Sequence, residues 1–332
     1  CDGEGHQVIG GIGEEMLQLS AKCNGEVPEV WRTPHSPKVR SGTRFEVRFS
    51  APDYMLALEK LLVDAGVDIW YDTLFSQVVI ADMAITSVVV QNKSGRLALN
   101  TKFVVDASGD ADVCAASGEE TVSLDTNVLS NWFYYEDNEG THLVGMTEGF
   151  TDDGSPSPKA QHGYRGDNGK DVSEHVINAH SMVLDKLVEI QKKHPEAHLS
   201  NVPMMPSMRM TRRLAGKTTM NESIAGTTPD DLVGLCPNWR KAGIVYGVPL
   251  GALHGKIRNL LAAGRCISAE GRLWDMTRVI PICALTGEVA GTVVGMCVRS
   301  GLEDVGSVSV SELQERLISN GNMLDAGLIR GV

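Results

Sequence analysis

Aromatic residues are scarce, at 5% of the chain, and positive charge is short: 30 Lys and Arg stand against 42 Asp and Glu, a formal net charge of -12. Surplus acid repels phosphate backbones and anionic headgroups, which argues against nucleic acid or an anionic membrane surface as the main partner. No uninterrupted run of about 18 apolar residues occurs, so no membrane span is expected. No secretory leader is visible. The seven cysteines, Cys1, Cys23, Cys114, Cys236, Cys266, Cys283 and Cys297, stand singly, without CxxC or Cys/His spacing. An odd, dispersed set fits reduced thiols in a cytoplasmic protein and no metal centre.

What the chain has is glycine, 35 of 332 residues, which favours tight turns and close helix–sheet packing. Its most informative stretch is 259–291. Leu260, Leu261, Ala262 and Ala263 read as a short buried strand, and Gly264 lets the backbone turn or come close to something. Arg265 follows. Arg278 and Pro281 then open a helix of small residues (Ala284, Gly287, Ala290, Gly291, Gly295), because proline is tolerated in a first helical turn. A helix start carries unpaired N–H groups and about half a positive charge, which suits an anionic or electron-rich ligand edge.

Taken in order, residues 10–16 hold a Gly-rich turn that opens an amphipathic helix with Met16, Leu17 and Leu19 inward. Residues 24–49 read as irregular, ending in a short strand at 45–49. Ser50 caps a helix over 52–65, with Pro52 in its first turn and Gly66 after it. Strands follow at 67–71, 77–81 and 85–91, with a return from 96. Residues 103–105 read as a buried parallel strand, and 106–110, Asp-Ala-Ser-Gly-Asp, place small residues at its C-terminal end. A short helix follows at 113–117. Beyond residue 119 the texture changes. A strand holds Trp132 to Tyr135, 151–170 form a surface loop, and Asp171 with Glu174 make a capping box. That box opens a helix to Lys193 with Val172, Val176, Val183, Leu184, Leu187 and Val188 on one side. His180 lies on that side as a core histidine. A strand alternation through 206–213 would put Arg209 and Thr211 on one face and Met210 and Arg212 on the other. Arg209 and Arg212 suit a carboxylate or phosphate of a substrate; ion pairing with acidic neighbours is the equal alternative. A helix over 311–319, capped by Ser309 or Ser311, closes the chain.

Three pieces of the 259–291 stretch, NLLAAGRCISA, RVIPIC and TGEVAG, resemble the C-terminal flavin-binding segment of FAD-dependent oxidoreductases among the two-dinucleotide-binding-domain flavoproteins. Residues 106–110 resemble that family's D-A-[ST]-G-D motif, 206–213 its P-x-x-R-x-T-R-R motif, and 246–250 its return element. The resemblance implies an α/β fold: a Rossmann-like FAD-binding domain with a β-meander, over 1–118 and 251–332, and an inserted α+β substrate or cap domain over 119–250. It implies FAD as cofactor, contacted by Asp106, Ala107, Ser108, Gly109, Asp110, Gly264, Arg265, Arg278, Pro281, Thr286 and Gly287. Arg278 is the leading candidate for flavin-side electrostatics. His254 is a candidate acid or base, with His6 and His35 behind it, because imidazole titrates near neutrality. The partner would be a small organic substrate; oligomeric state is open.

The family normally opens with a strand and a G-x-G-x-x-G turn. Residues 10–16 carry G-x-G but Met16 in the third place, and a similar segment lies downstream of the nucleotide turn in the family. The chain therefore reads as truncated at its N-terminus, with its C-terminus complete. One alternative is a non-catalytic remnant or fragment that acts as a binding or structural module. Another is an NAD enzyme with Gly11 and Gly13 as phosphate loop and Glu26 or Glu29 as ribose partner. This departure predicts that the 332 residues alone hold FAD weakly or not at all, and that the chain supplied with such a turn holds it. The visible flavin spectrum of both proteins decides, and a tightly yellow short chain would refute the expectation.

Overall fold

The structure is a computed structural model that describes residues 2–23, 49–149, 157, 158, 160, 162–206 and 208–331. The expected strand at 45–49 falls almost wholly outside them, as do His35, Glu26 and Glu29 and most of the expected loop's first half. The chain divides into two compact units, one of Cys1–Thr121 with Leu214–Val332 and one of Val122–Arg213. The inserted unit is thus shorter than 119–250. Residues 232–249 belong with the first unit because Gly234 lies against the Leu285 side chain, at a spacing that a Cβ would close to 2.5 Å.

In the first unit, helix α1 (Gly11–Lys22) forms where the Gly-rich turn predicts one. Helix α2 (Ala51–Asp64) follows Ser50, with Pro52 in its first turn and Gly66 left-handed at φ +75° beyond its end. The Ser50 side chain makes no capping hydrogen bond. No strand forms at 67–71. The β-prone Val67, Ile69 and Tyr71 have no neighbouring strand to pair with among the described residues, and Asp72 turns the chain at φ +49°. The meander follows as β1 (Leu74–Ala81), β2 (Ala84–Asn92) and β3 (Gly95–Asn100), antiparallel in that order.

Strand β4 (Val104–Asp106) then runs parallel to the late strand β12 (Leu260–Ala262), pairing Leu260 with Val104, Leu261 with Val105 and Ala262 with Asp106. The expected parallel strand is there, but it is not fully buried: Val105 is 38% exposed. A parallel strand is buried when helices cover both faces of its sheet, and the face of β4 that carries Val105 is left open among the described residues. Helix α3 (Asp112–Ala116) follows β4, and Gly118 ends it at φ +79°.

Buried Asn259 joins meander and parallel pair. Its Nδ2 donates to the Ile85 and Lys102 carbonyls at 2.8 Å each, and its Oδ1 accepts from Ile85 N at 2.8 Å. Buried Glu119 accepts from Lys256 N and Ile257 N and so sets the approach to β12. Strands β10 (Leu232–Pro237) and β11 (Val245–Pro249) form an almost wholly buried antiparallel pair. Val8 packs into their cluster of Leu232, Leu235 and Val245. Helices α5 (Gly271–Thr277), α6 (Ile280–Ser300) and α7 (Val310–Ser319) complete the unit. Ser309 caps α7 by accepting from Glu312 N, one of the two serines expected.

Helix α6 is long and apolar enough to cross a membrane by length and composition alone, a test that a largely buried core helix also passes, and half of that stretch is buried against the rest of the chain. Its Gly, Thr and Glu residues interrupt the apolar run without lowering the average enough to fail that test.

The second unit carries the sheet β7–β6–β8, from β6 (Ser130–Asp137), β7 (Gly140–Thr147) and β8 (His198–Asn201), and the long helix α4 (Gly169–Gln191). Strands β5 (Thr121–Ser123) and β9 (Arg212–Leu214) lie where the chain crosses between units. The capping box gives way to Asn168, whose side chain accepts from Lys170 N and Asp171 N. Asp171 instead accepts from Arg165 N. The buried line of α4 is His175, Ala179 and Val183, whereas Leu184 and Val188 are exposed. The small Ala179 lets β6 approach, and the Asn131 amide donates to its carbonyl at 3.2 Å. His180 is a satisfied histidine, its Nε2 3.1 Å from the Pro203 carbonyl oxygen.

Two predictions follow from this packing. Asn259→Ala leaves three backbone groups without partners and should cost about 2–4 kcal/mol, read as a lower urea midpoint. His175 is buried against the edge of Tyr164, and burial holds its pKa below the usual histidine value. Below about pH 6.5 an unfolded histidine takes up a proton that the folded one refuses. Stability should therefore fall as pH drops through that value, and His175→Phe should shrink the difference in urea midpoint between pH 7.5 and 5.5.

Candidate functional site

The parallel pair ends at Asp106 and Ala262, and its ladder runs one bond further, from Ala263 N to the Asp106 carbonyl at 2.9 Å. Two turns leave the strands there side by side. The first, 106–112, is tied almost entirely to itself. Buried Asp106 accepts at Oδ1 from Ser108 N (3.0 Å) and Ser108 Oγ (2.7 Å), and at Oδ2 from Cys114 N (2.9 Å). Ser108 Oγ accepts in turn from Asp110 N and Asp112 N. The backbone N–H groups of Gly109 and Ala111 point at the buried Cys266 sulfur, 3.2 and 3.3 Å away. Burial, above all, pushes that thiol up to about 11, and the Asp106 charge adds to the rise.

The second turn holds Gly264 at φ +66°, with its N–H donating to the buried Thr286 Oγ1 of α6 at 2.9 Å. A Cβ on Gly264 would stand 3.3 Å from the Cys283 sulfur. Arg265 then crosses to the first turn: its Nε donates to the Gly109 carbonyl, and its Nη2 lies 3.2 Å from Asp110 Oδ1. Gly109 is left-handed at φ +81°, and a Cβ there would meet the guanidinium at 2.8 Å. The turns that sequence motifs place about 150 residues apart thus converge, and α6 joins them through Thr286 and Cys283.

Arg278 lies nearby in a different pairing. Buried Asp275 takes it at Oδ1, from Nε at 2.8 Å and Nη2 at 2.6 Å, and takes Arg240 Nε at Oδ2, 2.9 Å. Arg240 lies over the Trp239 ring at 4.5 Å. Two guanidinium groups on one carboxylate leave a single net positive charge. Cys283 feels Arg265 and Arg278 together: burial raises its pKa, and the two charges act against that rise. The first turn of α6 has no side-chain cap and carries Pro281, which is exposed. Gly287 is exposed on the same helix, and an added Cβ would meet nothing there.

Not all expected site residues gather here. Half-buried His254 sits where a Cβ on Gly306 would meet its ring at 3.1 Å. Burial first, then Lys217, lower its pKa. His6 hydrogen-bonds Asp2 in the N-terminal loop at 2.7 Å. Arg209 and Arg212 belong to the other unit, and the strand there begins only at Arg212, so no alternation runs through Arg209. Arg212 Nη1 lies 3.9 Å from Asp167, which Arg165 and Ser123 also hold and whose carboxyl falls to about 2, the Arg165 hydrogen bond being the largest cause. The start of α1 is no phosphate loop, because Ile12 N donates to the Glu288 carboxylate at 2.8 Å. Sequence reasoning missed Asn259, Cys266, Asp275 and Glu288 as the side chains that hold the turns and helices in place. Only the presence of Asn259, Cys266 and Glu288 in the resembled motifs hinted at them.

This donor set defines a class: a nucleotide-fold strand pair whose C-terminal ends present glycine backbone, a carboxylate and a guanidinium beside a helix start. The family model described as FAD dependent oxidoreductase matches residues 1–127 and 166–317, well over half of the chain, and the chain belongs to that family. FAD is the cofactor of the family and flavin-dependent redox chemistry its activity. No curated protein matches the chain. Solved structures similar to it include a geranylgeranyl bacteriochlorophyll reductase-like protein from Thermoplasma acidophilum, at 12% identity and a TM-score of 0.43, matching 87% of this chain and 63% of that one. The myxobacterial FAD-dependent chondrochloren halogenase CndH gives 15%, 0.41, 94% and 69% in the same order. CabE, an aromatic hydroxylase from angucycline biosynthesis, gives 12%, 0.43, 99% and 67%. At these values the likenesses add no argument to the family match. The chain spans 63% of the length of the reductase-like protein.

The hydrogen bonding divides the turn residues into supports and exposed groups. Asp106→Ala strands three donors and should cost about 3 kcal/mol of stability, measured as a lower unfolding midpoint. Asp110→Ala, at a part-exposed carboxylate, should stay within about 0.5 kcal/mol of the parent.

Proposed function

We propose that the chain works as an FAD-dependent oxidoreductase that passes electrons between a small organic molecule and flavin. The unit of 1–121 and 214–332 would hold the cofactor, and the unit of 122–213 would serve the substrate. The observation that carries this reading is Arg265, which spans the ends of β4 and β12 to reach both Gly109 and Asp110.

The residues present suit a flavin nucleotide in part. Asp110 and Arg265 keep exposed surface, at 34% and 30% of their side chains, and offer an acceptor for sugar-like hydroxyls and a fork for a pyrophosphate. Pro281 and Gly287 offer open, small surface on α6. Asp106, Ser108, Gly109, Gly264 and Thr286 act one step back: their polar groups are spent inside the protein, and they hold the exposed groups in register. FAD, when bound, supplies the redox chemistry, and the protein supplies position and field. The uncapped start of α6 and the one net charge left by Arg240, Arg278 and Asp275 both favour negative charge nearby. His254 enters this reading as an imidazole that is neutral at pH 7, since its pKa lies below the usual value. Six cysteines without disulfides among the described residues support a cytoplasmic setting.

Arg265→Met keeps the length of the side chain and removes its charge and its donors. In the chain supplied with a G-x-G-x-x-G turn it should weaken FAD binding at least tenfold, read by flavin fluorescence titration, and Asp110→Ala should weaken it less. Unchanged affinity in both variants would remove this cluster from the cofactor site.

A further inference from the structure

The sheet of the second unit has two different faces. Asn131 and Phe133 are buried on the face that meets α4, with the Asn131 amide bonded to Ala179. Trp132 and Tyr134 alternate to the other face, where their rings stand edge to face at 5.7 Å. Register adds the neighbours of that face, since Tyr134 pairs with Leu143 and Trp132 with Gly145. Trp132 is 44% exposed and Leu143 61%, in a chain with few aromatic residues to spare. Gly145 leaves a notch beside Trp132: an added Cβ would meet nothing within 4 Å, and its backbone is not left-handed. Glu136, two residues beyond Tyr134 on the same face, closes the row. Its Oε1 accepts from Ser200 Oγ at 2.8 Å, and its Oε2 lies 3.9 Å from His198 Nε2.

We propose that this face binds a flat, largely apolar ring compound carrying a hydroxyl or amino donor at one end. The ring would lie on Tyr134 and Leu143 in the notch over Gly145, and the donor would reach the Glu136 carboxylate. Two residues of strand separate ring and acceptor, about 7 Å, the scale of one fused ring system. The size of the patch selects the occupant. At about 150–250 Å² for a large side chain, exposed Trp132 and Leu143 with half-buried Tyr134 offer roughly 300 Å² in all. A stable protein interface takes about 800 Å² from each partner, so a ring compound fits and a second copy of the chain does not. A charged carboxylate at the rim is also better matched by a donor group than by a further apolar surface.

The test uses the whole chain without flavin, so its outcome is independent of the cofactor reading. Calorimetric titration with 2-naphthol should show saturable one-to-one binding. Gly145→Leu, which fills open space without backbone strain, should abolish binding while leaving the unfolding midpoint unchanged. Trp132→Ala should weaken binding about tenfold, the value of one aromatic contact plus its lost area. Glu136→Gln should erase the preference for 2-naphthol over 2-methoxynaphthalene, which has no proton to donate. No saturable binding by the parent chain, or binding that survives Gly145→Leu and Trp132→Ala, overturns the proposal. So does a concentration-dependent dimer in sedimentation that Gly145→Leu dissociates, because the face would then belong to a second copy.

Discussion

A single backbone bond, from Ala263 N to the Asp106 carbonyl, sets the alignment on which the candidate site depends. It extends three parallel residue pairs by one step and brings two turns from distant parts of the chain to the same edge. Parallel strands need a long crossover between them, and here about 150 residues, including the whole inserted unit, lie between β4 and β12. The short ladder cannot hold against that entropy by itself. Asn259 and Glu119 reinforce it from the amino end, and Cys266, Arg265 and Thr286 from the carboxyl end.

The turn after β4 illustrates how a motif divides its labour. A D-A-S-G-D sequence suggests a row of groups that face a ligand, yet Asp106 and Ser108 use their oxygens on the turn's own amides, and Cys266 takes two more. Buried donors demand partners, and a turn that satisfies them internally is rigid before any ligand arrives. The exposed carboxylate of Asp110 and the guanidinium of Arg265 then stand on a fixed base. The glycines serve the same end: Gly109 makes room for Arg265 and Gly264 for Cys283.

The two units meet different demands. In the first, buried carboxylates hold backbone: Glu288 takes the start of α1, Glu119 the approach to β12, and Asp106 its own turn. In the second, one sheet face is committed to α4 while the other keeps its largest rings at the surface. Placing Trp132 in water forgoes the burial that normally rewards a tryptophan, whereas the buried neighbours Asn131 and Phe133 secure the strand from behind.

Local chemistry alone was enough for the elements that depend on it. The later strands of the meander, the Pro-led helices α2 and α6, the serine cap of α7 and the strand before Asp106 all stand where residue type and spacing put them, because a cap, a proline or a short β-branched run acts within a few residues. The flavin-family resemblance was legible in the same way, from contiguous words. Tertiary structure alone decided which polar groups of those words are exposed. It put Asp275 under Arg278, turned the buried line of α4 onto His175 and Ala179, left 67–71 without a partner strand among the described residues and cut the inserted unit at Arg213. In each case the deciding neighbour lies far away in sequence, and a side chain's charge, burial or pairing is settled by what folding brings against it.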